Sequence, residues 1–219
     1  MRTRMKICCI SSKAEARLAV ASGADALGLV GPMPSGAGVI DNELIAEIAS
    51  IAPPPVATFL LTSETAPDAI IDHAKTCGTN TVQLVDHVAP GDYPALRAGL
   101  PSIRLVQVIH VEGREAVDEA VEMGRLADAL LLDSGRPSLP VKELGGTGRT
   151  HDWTLSRAIV QATSTPVFLA GGLKADNVQA AIRDVRPYGI DLCTGVRTDD
   201  QLDAEKLQAF VAEVRAADG

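Results

Sequence analysis

Two glycine-bearing stretches near the end of the chain have the composition of anion cradles. In Pro166-Val167-Phe168-Leu169-Ala170-Gly171-Gly172, an apolar run stops at paired glycines just ahead of a helix-forming segment. Glycines lack Cβ atoms, so backbone N–H groups can approach an anion closely, and N–H groups beside a helix start favour phosphate. One unit later, Gly189-Ile190-Asp191-Leu192-Cys193-Thr194-Gly195-Val196 again runs from an apolar stretch into a turn of small residues. One Gly-Gly pair is most simply a tight turn. Two such turns in succession suggest the last strands of a barrel, where phosphate sites often sit.

Other residues could move protons. Cys8 lies in the apolar run Met5 to Ile10. In an extended strand, Lys6, Cys8 and Ile10 share one face while Ile7 and Cys9 share the other. A thiol serves as base or nucleophile when its thiolate is accessible and stabilised, and otherwise fills space as a small hydrophobe. Asp133 ends the run Ala129-Leu130-Leu131-Leu132. A carboxylate there is costly to bury unpaired, so it belongs in a polar site at a strand end or in a solvated turn. Lys6 could form an imine if burial lowered its pKa. His73, His87, His110 and His151 have no metal-ligand spacing and read as surface or loop histidines. Cys8, Cys9, Cys77 and Cys193 suggest neither a disulfide framework nor a zinc ligand set and read as buried filler, so no metal is expected.

These residues are far apart in sequence, and the elements between them must bring them together. Strands are expected at 5–10, 26–30, 56–61, 80–85, 104–109, 126–132, 167–170 and 190–193. Helices are expected at 12–21, after a cap at Asp41 to 51, at 67–76, 93–100, 114–123, after a cap at Asp152 to 162, at 176–185 and at 204–216. Continuous apolar runs suit strands covered on both faces of a parallel sheet. Such alternation requires crossover connections, and eight units close naturally into a (β/α)8 TIM barrel. Residues 1–219 then form one domain, with Cys8, Asp133, Gly171, Asp191 and Thr194 on one rim. An open doubly wound sheet would normally carry a glycine fingerprint after its first strand, and Ile10-Ser11-Ser12-Lys13 has none.

The 219 residues can bury a sizeable core, and 46% hydrophobic with only 3% aromatic residues means a core of Ala, Val, Ile and Leu. A net charge of −8 argues against a nucleic-acid surface. With no membrane-length apolar run and no leader-like segment before the first strand, a cytoplasmic location is expected.

In order, Lys6-Ile7-Cys8, Gly23 to Leu29, Val82-Gln83-Leu84, Leu131-Leu132-Asp133, Gly145-Gly146-Thr147-Gly148 with Asp152-Trp153, Leu169 to Leu173 with Asn177-Val178, and Gly189-Ile190-Asp191 with Gly195-Val196 resemble phosphoribosylanthranilate isomerases of tryptophan biosynthesis. The resemblance runs nearly end to end and implies an Amadori rearrangement of an aminoaldose phosphate to an aminoketose phosphate. It implies Asp133 as the acid that opens the sugar ring and Cys8 as the base that removes the C2 proton. Gly171, Gly172, Thr194 and Gly195 would hold the phosphate and Asp191 would be a polar contact. The loop bearing Gly145 and Gly146 would close over the ligand. It implies no cofactor, a small phosphorylated sugar as substrate, and a monomer or homodimer.

The chain also departs from that pattern. Family members usually carry Ser-Pro-Arg after the second strand, the arginine holding the anthranilate carboxylate; here the loop reads Pro34-Ser35-Gly36-Ala37-Gly38. Arg136, Arg149 and Arg197 are the candidates to replace it. Cys-Gly has become Cys8-Cys9, Gln-Leu-His-Gly has become Gln83-Leu84-Val85-Asp86, and Ser-Ser-Gly-Val-Glu has become Cys193-Thr194-Gly195-Val196-Arg197. Two alternatives therefore stand beside the isomerase: a divergent barrel isomerase of another phosphorylated sugar, and a non-catalytic barrel that binds a phospholigand.

Overall fold

The computed structural model describes residues 2–33, 37–135 and 148–219. Eight parallel strands close into a barrel in sequence order: β1 Arg4–Ile7, β2 Ala26–Val30, β3 Ala57–Thr62, β4 Thr81–Leu84, β5 Arg104–His110, β6 Ala129–Asp133, β7 Val167–Leu169 and β8 Gly189–Leu192. Each is followed by a helix: α1 Lys13–Ala21, α2 Asn42–Ile51, α3 Pro67–Cys77, α4 Tyr93–Gly99, α5 Glu115–Met123, α6 Trp153–Ala162, α7 Val178–Val185 and α8 Ala204–Asp218. The expected (β/α)8 barrel is the observed one. Closure is made by β1 pairing with β8, with Lys6 opposite Asp191.

Local chemistry sets the boundaries. Asp41 and Asp152 cap α2 and α6 as expected, accepting from the N–H groups of Leu44 at 2.7 Å and Thr154 at 2.8 Å. Gly78, at φ +62°, ends α3 in the left-handed conformation that costs glycine nothing. The expected helix at 93–100 is preceded by a 3₁₀ turn at Pro90–Asp92, because Pro94 fits a helix's first turn better than its interior.

The apolar residues separate into two layers. Ile7, Leu27, Leu60, Leu130 and Ile190 face outward and pack with the helices in one large cluster. Phe59, Val106, Leu131, Phe168 and Ala170 fill the barrel interior with Cys8 and Cys9. Phe59 and Phe168 meet edge to face there, with ring centroids 6.0 Å apart.

One expected face assignment fails. Cys9 joins Cys8 in the interior cluster, and Ile10 turns outward to the helix layer. The cause is Cys9 itself, whose φ of +60° breaks the extended run and interrupts the two-residue alternation. β1 therefore ends at Ile7, although Cys8 N–H still donates to Leu192 O at 2.8 Å.

Candidate active site

Cys8 sits just past the C-terminal end of β1, 6 % exposed, and Lys6 lies below it inside the barrel, 0 % exposed. The β1–β8 register brings Asp191 beside Lys6, with Nζ 2.9 Å from Oδ1. This is an ion contact rather than an aligned hydrogen bond, so the ammonium keeps donor capacity for another partner. Lys6 Nζ also lies 5.4 Å from the centre of the Phe59 ring, a cation–π arrangement. Burial pulls the Lys6 ammonium down, but the attraction of Asp191 and Cys8 outweighs it and holds the group above its ordinary value. Lys6 is thus a fixed positive charge, contrary to the neutral amine an imine-forming lysine requires.

Burial pushes the Cys8 thiol up to about 11; Lys6 opposes that rise and Asp191 adds to it. Cys8 therefore rests as a neutral thiol. Asp133, at the end of β6, accepts at Oδ1 from the Ser134 N–H at 2.7 Å. Loss of water raises its carboxyl above the ordinary value; the Ser134 N–H, His110 and Lys6 pull it back, and Asp191 pushes it further up. A carboxyl so placed is suited to donate a proton. His110 is Asp133's register partner on β5, and its Nε2 lies 3.0 Å from Val85 O.

The predicted phosphate turns stand at the ends of β7 and β8. Gly171 and Gly172 have φ of +84° and +63°. A Cβ at Gly172 would lie 2.7 Å from Arg149 C and Thr150 N, and one at Gly195 would drive into Leu173 O. Only glycine fits either turn. Asn177 staples the first turn, donating from Nδ2 to Gly172 O at 3.0 Å and accepting from Lys174 N–H at 2.8 Å. Across the gap, a Cβ on Gly148 would lie 3.5 Å from Thr194 Oγ1, so Gly148 stands beside the β8 turn. Gly145 and Gly146 lie outside the described residues.

The structure brings Cys8, Asp133, Gly171, Gly172, Thr194 and Gly195 to the C-terminal end of the barrel, where enzymes of this fold place their sites, and sets Asp191 beneath them inside β8. Asp191, expected as a polar contact, is 7 % exposed and engaged with Lys6. The sequence alone assigns no site role to Ser134, Asn177, His110 or Gly28. The last could have been found as the one residue without a side chain in Ala26-Leu27-Gly28-Leu29-Val30, a strand otherwise fully apolar. His73 within α3 and His110 at the end of β5 are neither surface nor loop residues, whereas His151 lies in a loop as expected. His110 and His151 are half-buried at the mouth, and His73 is half-buried between Thr62 Oγ1 and Asn42 Oδ1 at 2.9 and 3.0 Å.

The cysteines also need correction. Cys9 and Cys193 form a disulfide that ties the end of β1 to the end of β8, their Cα atoms 5.8 Å apart, leaving Cys8 and Cys77 as the free thiols. Their sequence separation of 184 residues hides the pairing, which exists because the barrel closes between β1 and β8. Among the candidate arginines, Arg197 is committed elsewhere: it pairs with Glu15 at 2.8 Å and donates to Cys9 O. Arg136 lies outside the described residues. Among the described residues, no group of His, Cys, Asp and Glu could hold a metal ion, and no helix is long and apolar enough to cross a membrane.

Residues 5–213 match the model of the N-(5'-phosphoribosyl)anthranilate (PRA) isomerase family. The N-(5'-phosphoribosyl)anthranilate isomerase of Haloferax volcanii is 36% identical over 219 residues, covering 99% of this chain and 95% of its own. The crystal structure of phosphoribosyl anthranilate isomerase from Thermus thermophilus superposes with a TM-score of 0.83 at 27% identity, covering 98% of this chain and 99% of that one. A further phosphoribosyl anthranilate isomerase structure, at 27% identity, TM-score 0.78 and coverage of 98% and 99%, is a complex with reduced 1-(o-carboxyphenylamino)-1-deoxyribulose 5-phosphate.

Proposed function

Because the chain belongs to the N-(5'-phosphoribosyl)anthranilate isomerase family, we propose that Asp133 and Cys8 carry the acid and base steps of its aldose–ketose isomerisation. The single observation behind this is the convergence of a desolvated carboxyl, a buried thiol over a fixed ammonium, and two glycine turns on one rim.

The substrate is a phosphorylated aminosugar of tryptophan biosynthesis. Its phosphate is held by the N–H groups around Gly171, Gly172 and Gly195 with the Thr194 hydroxyl. Asp133, kept protonated more readily by its surroundings, gives its proton to the ring oxygen, and the C1–O bond breaks to leave an iminium. That positive charge forms beside Cys8 and favours release of the thiol proton to solvent, giving the thiolate that a resting thiol near 11 does not otherwise supply. Cys8 then takes the C2 proton, giving an enolamine that tautomerises to the ketone. Asp191 acts through Lys6, with which it is paired.

The test is steady-state turnover of phosphoribosylanthranilate by Cys8→Ala and Asp133→Asn. Each is expected to lose about 10²-fold or more in kcat, the scale of general acid–base catalysis. Near-normal turnover by either variant removes that residue from its role.

A further inference from the structure

We infer that Lys6 is a positioning residue for the isomerisation: its ammonium, locked under Cys8 by Asp191, is the fixed charge against which the thiolate forms, and Gly28 is the gap that lets ammonium and sulfur meet. The inference rests on Cys8 being the base, and it adds what makes that thiol usable.

Three observations carry it. Lys6 has no exposure to solvent, so its charge is not screened by water. Asp191 Oδ1 holds it at 2.9 Å without the alignment of a hydrogen bond, leaving donors to turn elsewhere. A single point, the position a Cβ would take on Gly28, is 2.7 Å from Cys8 Sγ and 2.9 Å from Lys6 Nζ. Gly28 has an ordinary extended conformation, so conformational freedom does not explain it; the space beside it does. An alanine methyl there would press on the sulfur, the ammonium and the Cys8 Cα, the last at 3.0 Å.

The groups facing Cys8 act in opposite directions. Lys6 on β1 favours the thiolate and Asp191 on β8 opposes it. Asp133 on β6 is linked electrostatically to both, and His110 on β5 acts on Asp133. β2 presents Gly28 and β3 presents the Phe59 ring, which faces the ammonium. Removing Lys6 should therefore raise the pH at which Cys8 ionises, and removing Asp191 should lower it. A merely structural lysine gives no such pair of opposite signs.

The experiment is an ultraviolet absorbance titration of the thiolate in the intact protein, with Cys8→Ser subtracted to remove Cys77 and the tyrosines. Lys6→Met is expected to move the Cys8 midpoint up by about one pH unit or more, and Asp191→Asn to move it down. Lys6→Met should also lower kcat by about tenfold or more with little change in KM. An unchanged midpoint in folded Lys6→Met overturns the inference. Where Lys6→Met does not fold, Asp191→Asn is compared with the double variant Lys6→Met/Asp191→Asn, which buries no unpaired charge. A higher midpoint in the double variant supports the inference, and equal midpoints overturn it. Full turnover by Cys8→Ala would instead remove the role of Cys8 as base, leaving the titration to judge the Lys6–Cys8 coupling by itself.

Discussion

The floor and the rim of this site solve different problems by different means. On the floor, Lys6, Cys8 and Asp191 are almost sealed from water and Asp133 ends the nearby β6, so the ionisations of Lys6, Cys8 and Asp133 depend on their neighbours. On the rim, the turns at Gly171–Gly172 and Thr194–Gly195 are partly open to solvent and built from backbone, with positive φ at Gly171 and Gly172 and clearances at Gly172 and Gly195 that exclude a Cβ. The floor is therefore sensitive to charge and pH, and the rim to volume. Proton transfer needs groups whose charge can change, whereas holding a phosphate needs dipoles that do not.

Removing the floor's proton-accepting thiol should have the largest effect: the loss of about 10²-fold or more in kcat for Cys8→Ala comes with a much smaller change in KM. An equal rise in KM would show that Cys8 binds rather than reacts, and the contrast with the rim would fail.

Next is alkaline stability. The Cys8 thiol rises in the folded chain from its ordinary 9.0 to about 11, so above pH 9 the unfolded chain loses its proton first and stability falls until about pH 11. A two-unit difference is worth about 3 kcal/mol at most. Buried Cys77, also pushed up to about 11, contributes in the same window. Denaturant unfolding across that range should show a shallower fall in Cys8→Ala than in the parent; identical slopes would mean the thiol is not desolvated.

The rim comes third. Gly172→Ala puts a Cβ against Arg149 and Thr150 at a φ of +63°. Local strain of about 1 kcal/mol and a displaced turn should raise KM by about tenfold, with kcat and its pH profile nearly unchanged. A changed pH profile would mean that rim and floor are not separate devices.

The smallest effect has an instructive sign. Asp133 has a raised folded pKa, so its ionised form at neutral pH opposes folding. Asp133→Asn should therefore raise Tm slightly at pH 7 even as it lowers kcat by about 10²-fold or more. A lower Tm would mean that the carboxylate stabilises the fold.

Much of the floor and rim was legible in the sequence. Apolar runs alternating with capped helical segments were enough for the barrel, and Asp133 was marked by a carboxylate ending Leu130-Leu131-Leu132. Paired glycines marked the β7 turn. What stayed hidden depends on closure or on a local break in periodicity. Lys6 meets Asp191, and Cys9 meets Cys193, only because β1 pairs with β8, a contact that no spacing encodes. The alternation expected along residues 6–10 stops at Cys9, whose positive φ is not a property of cysteine and is seen only in the fold. Gly28 reads as one more small residue until Lys6 and Cys8 are placed beside it.

Whether one ligand spans floor and rim is decided by a crystal structure of Asp133→Asn with phosphoribosylanthranilate bound. Phosphate oxygens are expected within about 3 Å of the N–H groups around Gly172 and Gly195, with the side chain at position 133 at the ring oxygen and the Cys8 sulfur facing C2. A phosphate bound away from those turns, or a C2 turned from Cys8, would contradict one ligand spanning both.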